Sequence, residues 1–196
     1  MAAYDTKTAL IVVDLQNDFA DRSGSLFVEG GEEVVAAATT EIIRAVAAGA
    51  FVVFTQDWHP PSTPHFDTDG GAWPVHCVMG TWGAALHPRL LVTGPIVRKG
   101  SNGEDGYSGF SMRDPDSGEE TPTALHGLLE ERGIERTVVI GLALDVCVSA
   151  TALDSVGHGL ATTVLRSASA PVEIEPGDGR RAIEDMTAAS IVVEEE

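Results

Sequence analysis

The sequence has few basic residues and few cysteines. Lysine and arginine together number 12 against 30 aspartates and glutamates, which gives a formal net charge of −18. A surface of this sign repels phosphate backbones, so we expect no nucleic-acid partner. The two cysteines, Cys77 and Cys147, are too few to build a disulfide scaffold in a chain of 196 residues. Each of them is therefore either a buried side chain or a reactive thiol.

Long apolar runs are also missing. No run of apolar residues approaches the ~20 that a membrane span needs. The start of the chain lacks the basic region and the long apolar stretch of a secretory signal. We therefore expect a cytoplasmic location and no membrane partner. Because hydrophobic residues still make up 43% of the chain, we expect one folded domain over residues 1–196.

Short apolar segments alternate with helical patterns along the chain. TALIVVD, residues 8–14, is almost entirely apolar, as a strand buried on both faces would be. Further strands are predicted over residues 50–57, 95–99, 136–143, 161–168 and 190–195. Helices are predicted over residues 32–49, 121–133 (with Pro122 in the first turn), 145–159 and 177–189. This alternation predicts an α/β fold, a Rossmann-like three-layer αβα domain with a six-stranded parallel sheet.

Polar side chains close several of these strands. Asp14, Asp57 and Lys99 each lie at or just past the carboxyl end of a predicted strand, and the segment leading to Cys147 follows another. Ligands of parallel sheets bind beyond these ends, so we expect the four residues to converge there. The irregular stretches 58–93 and 100–121 are suited to walling a pocket. No glycine-rich nucleotide loop follows a strand.

Half of the six histidines lie within one short stretch, at His59, His65 and His76, just after Asp57. Asp57 and His59 are two apart, so on an extended strand end both side chains point the same way. Imidazoles and carboxylates suit zinc, iron, manganese or nickel. We predict that these four residues bind one divalent metal ion, zinc or iron/manganese; chance clustering in a polar loop is the alternative.

Cys147 lies in the first turn of a predicted helix, with Asp145 as the expected N-cap. A helix N-terminus and a nearby Lys99 would both favour a thiolate. Asp14 could accept the thiol proton, and the backbone N–H groups of Ala143 and Cys147 could hold an oxyanion. The alternative is that Cys147 only packs in the core. Cys77 is expected to be a packing residue.

Several stretches, in this order, resemble one known family. They are ALIVVDLQNDF (9–19), DWHPPSTPHF (57–66), WPVHC (73–77), VRKG (97–100), YSGF (107–110) and GLALDVCV (141–148). Together they are similar to the isochorismatase-like cysteine hydrolases, and within them to the nicotinamidase/pyrazinamidase group. The likeness covers nearly the whole chain.

The resemblance implies a role for each matching position. Asp14, Lys99 and Cys147 would be the catalytic residues, and the amides of Ala143 and Cys147 the oxyanion hole, after a cis peptide at Leu142–Ala143. The implied metal ligands are Asp57, His59, His65 and His76, and the implied substrate-binding residues are Phe19, Trp73 and Tyr107. Val146 stands beside the nucleophile where some members carry histidine.

The implied activity is hydrolysis of nicotinamide to nicotinate and ammonia, as in NAD salvage, and of pyrazinamide, through a cysteine thioester. The partner would be a small-molecule amide, and the chain a monomer or a homo-oligomer. One alternative is a carbamoyl-amide hydrolase of the same superfamily, although those enzymes lack the histidine set. The other is a non-catalytic metal-binding or thiol redox module that pairs Cys77 with Cys147.

Overall fold

The strands follow the predicted order along the chain. The computed structural model describes residues 3–195. Its strands are β1 (Thr8–Val13), β2 (Phe51–Asp57), β3 (Ile96–Lys99), β4 (Ser111–Arg113), β5 (Glu120–Pro122), β6 (Arg136–Leu142), β7 (Ala161–Ala170) and β8 (Val192–Glu194). Six of them form one parallel sheet in the order β3-β2-β1-β6-β7-β8, and β4 pairs with β5 in an antiparallel hairpin. The predicted α/β class with a six-stranded parallel sheet is confirmed.

Helices cover both faces of this sheet. They are α1 (Asn17–Ala20), α2 (Gly31–Ala47), α3 (Leu125–Glu130), α4 (Ser149–Gly157) and α5 (Asp178–Ala188), with a 3-10 turn at Asp67–Asp69 and a π-helical turn at Leu144–Val148. The apolar stripe of α2 packs on one face, and α3, α4 and α5 pack on the other. None of the helices in the described part of the chain is long and apolar enough to cross a bilayer.

β1 shows why a central strand of this sheet is almost entirely apolar. All six of its residues are buried. Leu10 and Val12 face the α2 side, whereas Ala9, Ile11 and Val13 face the α3–α5 side, as the period of two in a strand requires. Each fully buried leucine or isoleucine contributes roughly 1.5–3 kcal/mol.

The strand order reverses between β1 and β6. From β1 the chain builds outward through β2 and β3, and then returns to place β6 on the other side of β1. Such a reversal opens a crevice beyond the carboxyl ends of the two strands. Gly141 lies there at φ +122, where an added Cβ would be 2.1 Å from the Val13 carbonyl oxygen, so this crossing needs glycine.

One predicted boundary is wrong. Pro122 was expected in the first turn of a helix, but it ends β5, and α3 begins at Leu125. Proline restricts the preceding residue to extended conformations and is tolerated in a two-stranded edge. The domain limits 1–196 stay a prediction; Met1, Ala2 and Glu196 lie outside the described residues.

Candidate active site

Lys99 lies at the centre of a buried charged cluster. Its Nζ is 2.7 Å from Asp14 Oδ2 and 2.5 Å from Asp57 Oδ1, and it also donates to the Gly106 carbonyl. The same Nζ lies 3.8 Å from Cys147 Sγ. β1, β2, β3 and the turn after β6 each supply one of the four side chains. We call Asp14, Lys99 and Cys147 the thiol cluster.

Burial dominates the protonation of this cluster. It raises the pKa of Asp14 to about 6, although Lys99 pulls in the other direction. Burial also raises the pKa of the Cys147 thiol well above its usual range, opposed by Lys99 and reinforced by Asp14. The thiolate expected from the sequence is therefore not favoured at rest. The sulfur therefore holds its proton at rest, and the Asp14 carboxyl group beside it changes its charge near pH 6.

Two side chains that the sequence reading missed hold Asp14 and Asp57 in place. Thr55 donates from Oγ1 to Asp14 Oδ1 at 2.7 Å, which leaves Oδ2 for Lys99. Gln16 donates from Nε2 to the Asp57 carbonyl, and its Oε1 accepts the Asp57 N–H, both at 2.8 Å. Thr55 lies two residues before Asp57 on β2, so the strand period of two could have identified it.

The three predicted histidines converge beside the thiol cluster. Ring nitrogens of His59, His65 and His76 lie within 4.8 Å of one another, and all three side chains are buried. We call these residues the histidine cluster. The Nδ1–H of His65 donates to Asp105 Oδ1 at 2.6 Å, and that of His76 donates to the Pro74 carbonyl at 2.7 Å. Each of these two rings therefore keeps a free lone pair on Nε2.

Neither ring nitrogen of His59 has a hydrogen-bond partner among the described residues, although its side chain is fully buried. An unsatisfied buried polar group costs about 1–3 kcal/mol, so this ring calls for a ligand. Burial lowers the pKa of His65, and it lowers the pKa of His76 to about 4. Neutral imidazoles of this kind are what a metal ion binds.

Asp57 joins the two clusters. One carboxylate oxygen, Oδ1, pairs with Lys99, while Oδ2 lies 3.8 Å from Nε2 of His59 and of His76. Although burial alone would raise it, the pKa of Asp57 is held far below its usual range by Lys99 and His59. An ionised carboxylate and three imidazoles are the donor types that zinc, iron or manganese takes. The residues present thus fit a divalent metal ion.

Folding of the loop after β2 brings the histidines together. His59 pairs with Val78 in an isolated bridge, and Phe66 pairs with Trp73. The Cys77 N–H donates to Asp18 Oδ2 at 2.7 Å, which fixes the chain next to His76. These contacts return the loop to the carboxyl end of the sheet.

A pocket opens over both clusters. Its lining residues are Phe19, Leu26, Val28, Asp57, His65, Trp73, His76, Gly106, Tyr107, Leu142, Ala143, Val146, Cys147 and Val172. The predicted residues Phe19, Trp73, Tyr107, Ala143 and Cys147 are all among them. Cys147 lines the pocket although only 8% of the residue is exposed. Leu26, Val28 and Val172 were missed, because an aliphatic side chain in a loop carries no chemical signal.

The aromatic side chains give the pocket flat walls. The Phe19 ring lies 5.4 Å from the His76 ring, and the Trp73 and Tyr107 rings lie 6.5 Å apart, centroid to centroid. Trp73 Nε1 donates to the Tyr107 hydroxyl at 3.0 Å, which ties these two walls to each other.

The turn that carries Cys147 departs from one expectation. The peptide Leu142–Ala143 is cis, as the resemblance implied. Asp145, expected as an N-cap, is wrong in that role, because the helical turn already begins at Leu144. Its carboxylate instead accepts the N–H groups of Val172 and Glu173, at 2.8 and 2.9 Å. Asp145 thereby anchors the pocket residue Val172.

Cys77 and Cys147 are both free and buried. They belong to apolar clusters on opposite faces of the sheet. Cys77 packs in the core, as expected.

A parallel α/β sheet with a thiol, an ammonium and a carboxylate at its switch point is the framework of a cysteine hydrolase. The Isochorismatase domain model matches residues 8–195. This chain belongs to the isochorismatase family, and the resemblance seen in the sequence is confirmed.

Similar proteins share both sequence and fold with this chain. It is 39% identical over 188 residues to the nicotinamidase/pyrazinamidase of Mycobacterium tuberculosis, across 93% of this chain and 96% of that protein. The structure of PnC1 from L. infantum in complex with nicotinate matches with a TM-score of 0.86 and 35% identity, over 98% of this chain and 94% of that one. Pyrazinamidase of Pyrococcus horikoshii in complex with zinc matches with a TM-score of 0.84 and 35% identity, over 95% and 98%.

Proposed function

We propose that this protein is a nicotinamidase, which hydrolyses nicotinamide to nicotinate and ammonia in NAD salvage and also accepts pyrazinamide. The observation that carries the proposal is the approach of Asp14 and Lys99 to Cys147, which lines one pocket together with His65 and His76 of the histidine cluster. The name of the mycobacterial relative and the nicotinate in the L. infantum structure support this substrate class.

The first half of the reaction forms a thioester. Asp14 takes the proton of the Cys147 thiol, and the Lys99 ammonium, 3.8 Å from Sγ, stabilises the thiolate. The sulfur attacks the carboxamide carbon, and the amides of Ala143 and Cys147 donate to the oxygen of the tetrahedral intermediate. Asp14 then returns the proton to the leaving nitrogen. The C–N bond breaks and ammonia leaves.

The second half releases the acid. Asp14 takes a proton from a water molecule, whose oxygen attacks the thioester carbon. The C–S bond breaks as the new tetrahedral intermediate collapses, and the proton on Asp14 returns to the sulfur. A carboxyl group with a pKa of about 6 can give and take protons near neutral pH, which suits it to both halves.

Asp57, His59, His65 and His76 would hold one divalent ion, zinc or iron/manganese. When bound there, such an ion would supply Lewis-acid chemistry to the nitrogen of the substrate ring. The ring would lie between Phe19 and Trp73, with Tyr107 at its edge.

A carbamoyl-amide hydrolase would need the thiol cluster but not the histidine cluster. The convergence of three buried imidazoles therefore favours an aromatic amide. A redox module would need Cys77 and Cys147 to meet, and they lie on opposite faces of the sheet. A cytoplasmic location, and a monomeric or homo-oligomeric state without nucleic-acid or membrane partners, stay predictions.

Ammonia release from nicotinamide and pyrazinamide, with and without a chelator, tests the proposal. Mass spectrometry of the quenched reaction should detect the acyl group on Cys147. The Cys147→Ala variant should release no ammonia, whereas the matched variant Cys77→Ala, which changes the core cysteine, should keep activity. Undiminished ammonia release from Cys147→Ala would refute the mechanism.

A further inference from the structure

We propose that Asp105 is a positioning residue that orients His65 toward the metal ion. This inference rests on the metal site of the proposed function. Asp105 lies in the segment SNGEDG, residues 101–106, in which no catalytic or metal-binding residue is predicted from the sequence.

The contact between the two side chains is short and shielded. Asp105 Oδ1 lies 2.6 Å from His65 Nδ1, and the side chains are 14% and 4% exposed. A carboxylate can only accept, so Nδ1 carries the hydrogen and Nε2 carries the lone pair. The His65 ring is stacked on that of His59, with centroids 4.7 Å apart and an interplanar angle of 16°. Asp105 therefore fixes both the tautomer and the direction of the His65 ring.

Hydrogen bonds to its backbone fix the segment that carries Asp105 on both of its sides. Its N–H donates to the Arg113 carbonyl at 2.7 Å, and the Arg113 N–H donates back at 3.0 Å, which ties Asp105 to the β4–β5 hairpin. Thr63 donates from Oγ1 to the Gly103 carbonyl at 2.7 Å and accepts the His65 N–H at 3.2 Å. The β4–β5 hairpin therefore helps to position the Asp105 carboxylate against His65.

The two tethered histidines differ in what tethers them. His76 donates to the neutral Pro74 carbonyl, whereas His65 donates to a carboxylate. A negative partner makes the imidazole more basic and a stronger ligand, and loss of such a partner costs about 10–100-fold in metal affinity. We therefore expect the Asp105 charge, as well as its hydrogen bond, to contribute to binding.

The test measures zinc affinity by competition with a chromogenic chelator, and the ligand-field spectrum of the cobalt-substituted protein. Asp105→Ala should bind zinc about 10–100-fold more weakly and alter the cobalt bands. Asp105→Asn should lose less, because the amide oxygen still accepts the Nδ1–H. The matched control is Asp178→Ala, which removes a carboxylate that accepts the Glu175 N–H at 2.8 Å and pairs with Arg181, away from the histidine cluster. It should leave affinity and spectrum unchanged.

Four results would count against the inference. One is an Asp105→Ala protein with wild-type zinc affinity and cobalt spectrum, and another is an equal loss in Asp178→Ala. If Asp105→Ala does not melt cooperatively, Asp105→Asn carries the test, and wild-type affinity in that variant overturns the role of the charge. A wild-type protein that releases ammonia from nicotinamide without binding zinc or cobalt would overturn this inference but leave the hydrolase proposal in place.

Discussion

The thiol cluster and the histidine cluster adjoin one pocket but are built in different ways. The thiol cluster comes from the ends of β1 and β3 and the turn after β6, so the sheet itself positions it. The histidine cluster comes from the loop after β2, which isolated bridges and side-chain contacts hold in place. Strand ends give one cluster a rigid frame, whereas the other depends on many separate contacts.

The two clusters also differ in charge. The thiol cluster contains a buried ion pair and a carboxyl group whose pKa is raised to about 6. In the histidine cluster, burial lowers the pKa of His65 and of His76, which keeps both rings neutral. Proton transfer is thereby assigned to the thiol cluster, on one side of Asp57. The histidine cluster, on the other side, provides neutral metal ligands. Substitutions can test whether the two sides are separable.

Asp14→Asn should break the thiol cluster alone. Asparagine keeps the shape of the side chain but cannot take the thiol proton, so kcat for ammonia release should fall by about 10²–10⁴. Zinc affinity should stay at the wild-type value, because Asp14 has no contact with the imidazoles. Zinc binding that falls together with kcat would show that the clusters are coupled.

Lys99→Met should destabilise the fold. It leaves the carboxylates of Asp14 and Asp57 buried without their cation, which costs roughly 3–5 kcal/mol of unfolding free energy. Urea denaturation measures this loss. The matched control is Arg89→Met, which breaks a solvent-exposed pair with Glu32 and should cost only about 0.2–1 kcal/mol. Equal losses in both variants would contradict the structural role of the buried pairs.

The same contrast explains what the sequence could predict. Apolar runs located every strand of the main sheet, and the rule for carboxyl ends brought Asp14, Asp57 and Lys99 to one edge. The turn before Cys147 was placed by its resemblance to a family. The prediction that Asp145 caps the following helix was wrong. Its carboxylate accepts the N–H groups of Val172 and Glu173, which lie some 27 residues away in the chain and could not be located from the local sequence.

The residue types in the loop after β2 predicted a metal site, but the conformation of that loop could not be predicted. His65 and His76 suggested a metal site, yet their positions depend on contacts distant in sequence, such as Thr63 with Gly103 and Cys77 with Asp18. The β4–β5 hairpin and Asp105 were missed for the same reason. Short polar segments have no periodicity that marks a strand.

Gly100→Ala should disturb the histidine cluster alone. Gly100 has φ +79, and an added Cβ would lie 2.5 Å from His59 Cε1, so the ring must move and zinc should bind more weakly. Gly80 has nearly the same conformation, φ +78, with nothing within 4 Å of an added Cβ. Gly80→Ala should show the same backbone strain, about 1–2 kcal/mol, without a change in zinc affinity. Equal zinc affinities in the two variants would remove His59 from the ligand set.

The pH dependence of kcat/KM and of metal content in the wild-type enzyme should distinguish the role of the thiol cluster from that of the histidine cluster without any substitution. Asp14, which faces Lys99, Asp57, Thr55 and Cys147, must be ionised to accept the thiol proton. Because its pKa is raised to about 6, falling pH protonates it, and kcat/KM at about pH 6 should be half of the plateau value at higher pH.

Zinc occupancy should not follow that decline. Burial lowers the pKa of His76 to about 4, so its ring stays neutral as the pH passes through 6, and the lowered pKa of His65 acts in the same direction. Metal content measured after desalting at each pH should therefore stay constant while kcat/KM halves. A metal content that falls in parallel with kcat/KM would assign the acid limb to the imidazoles instead of to Asp14, and the separation of proton transfer from metal binding would fail.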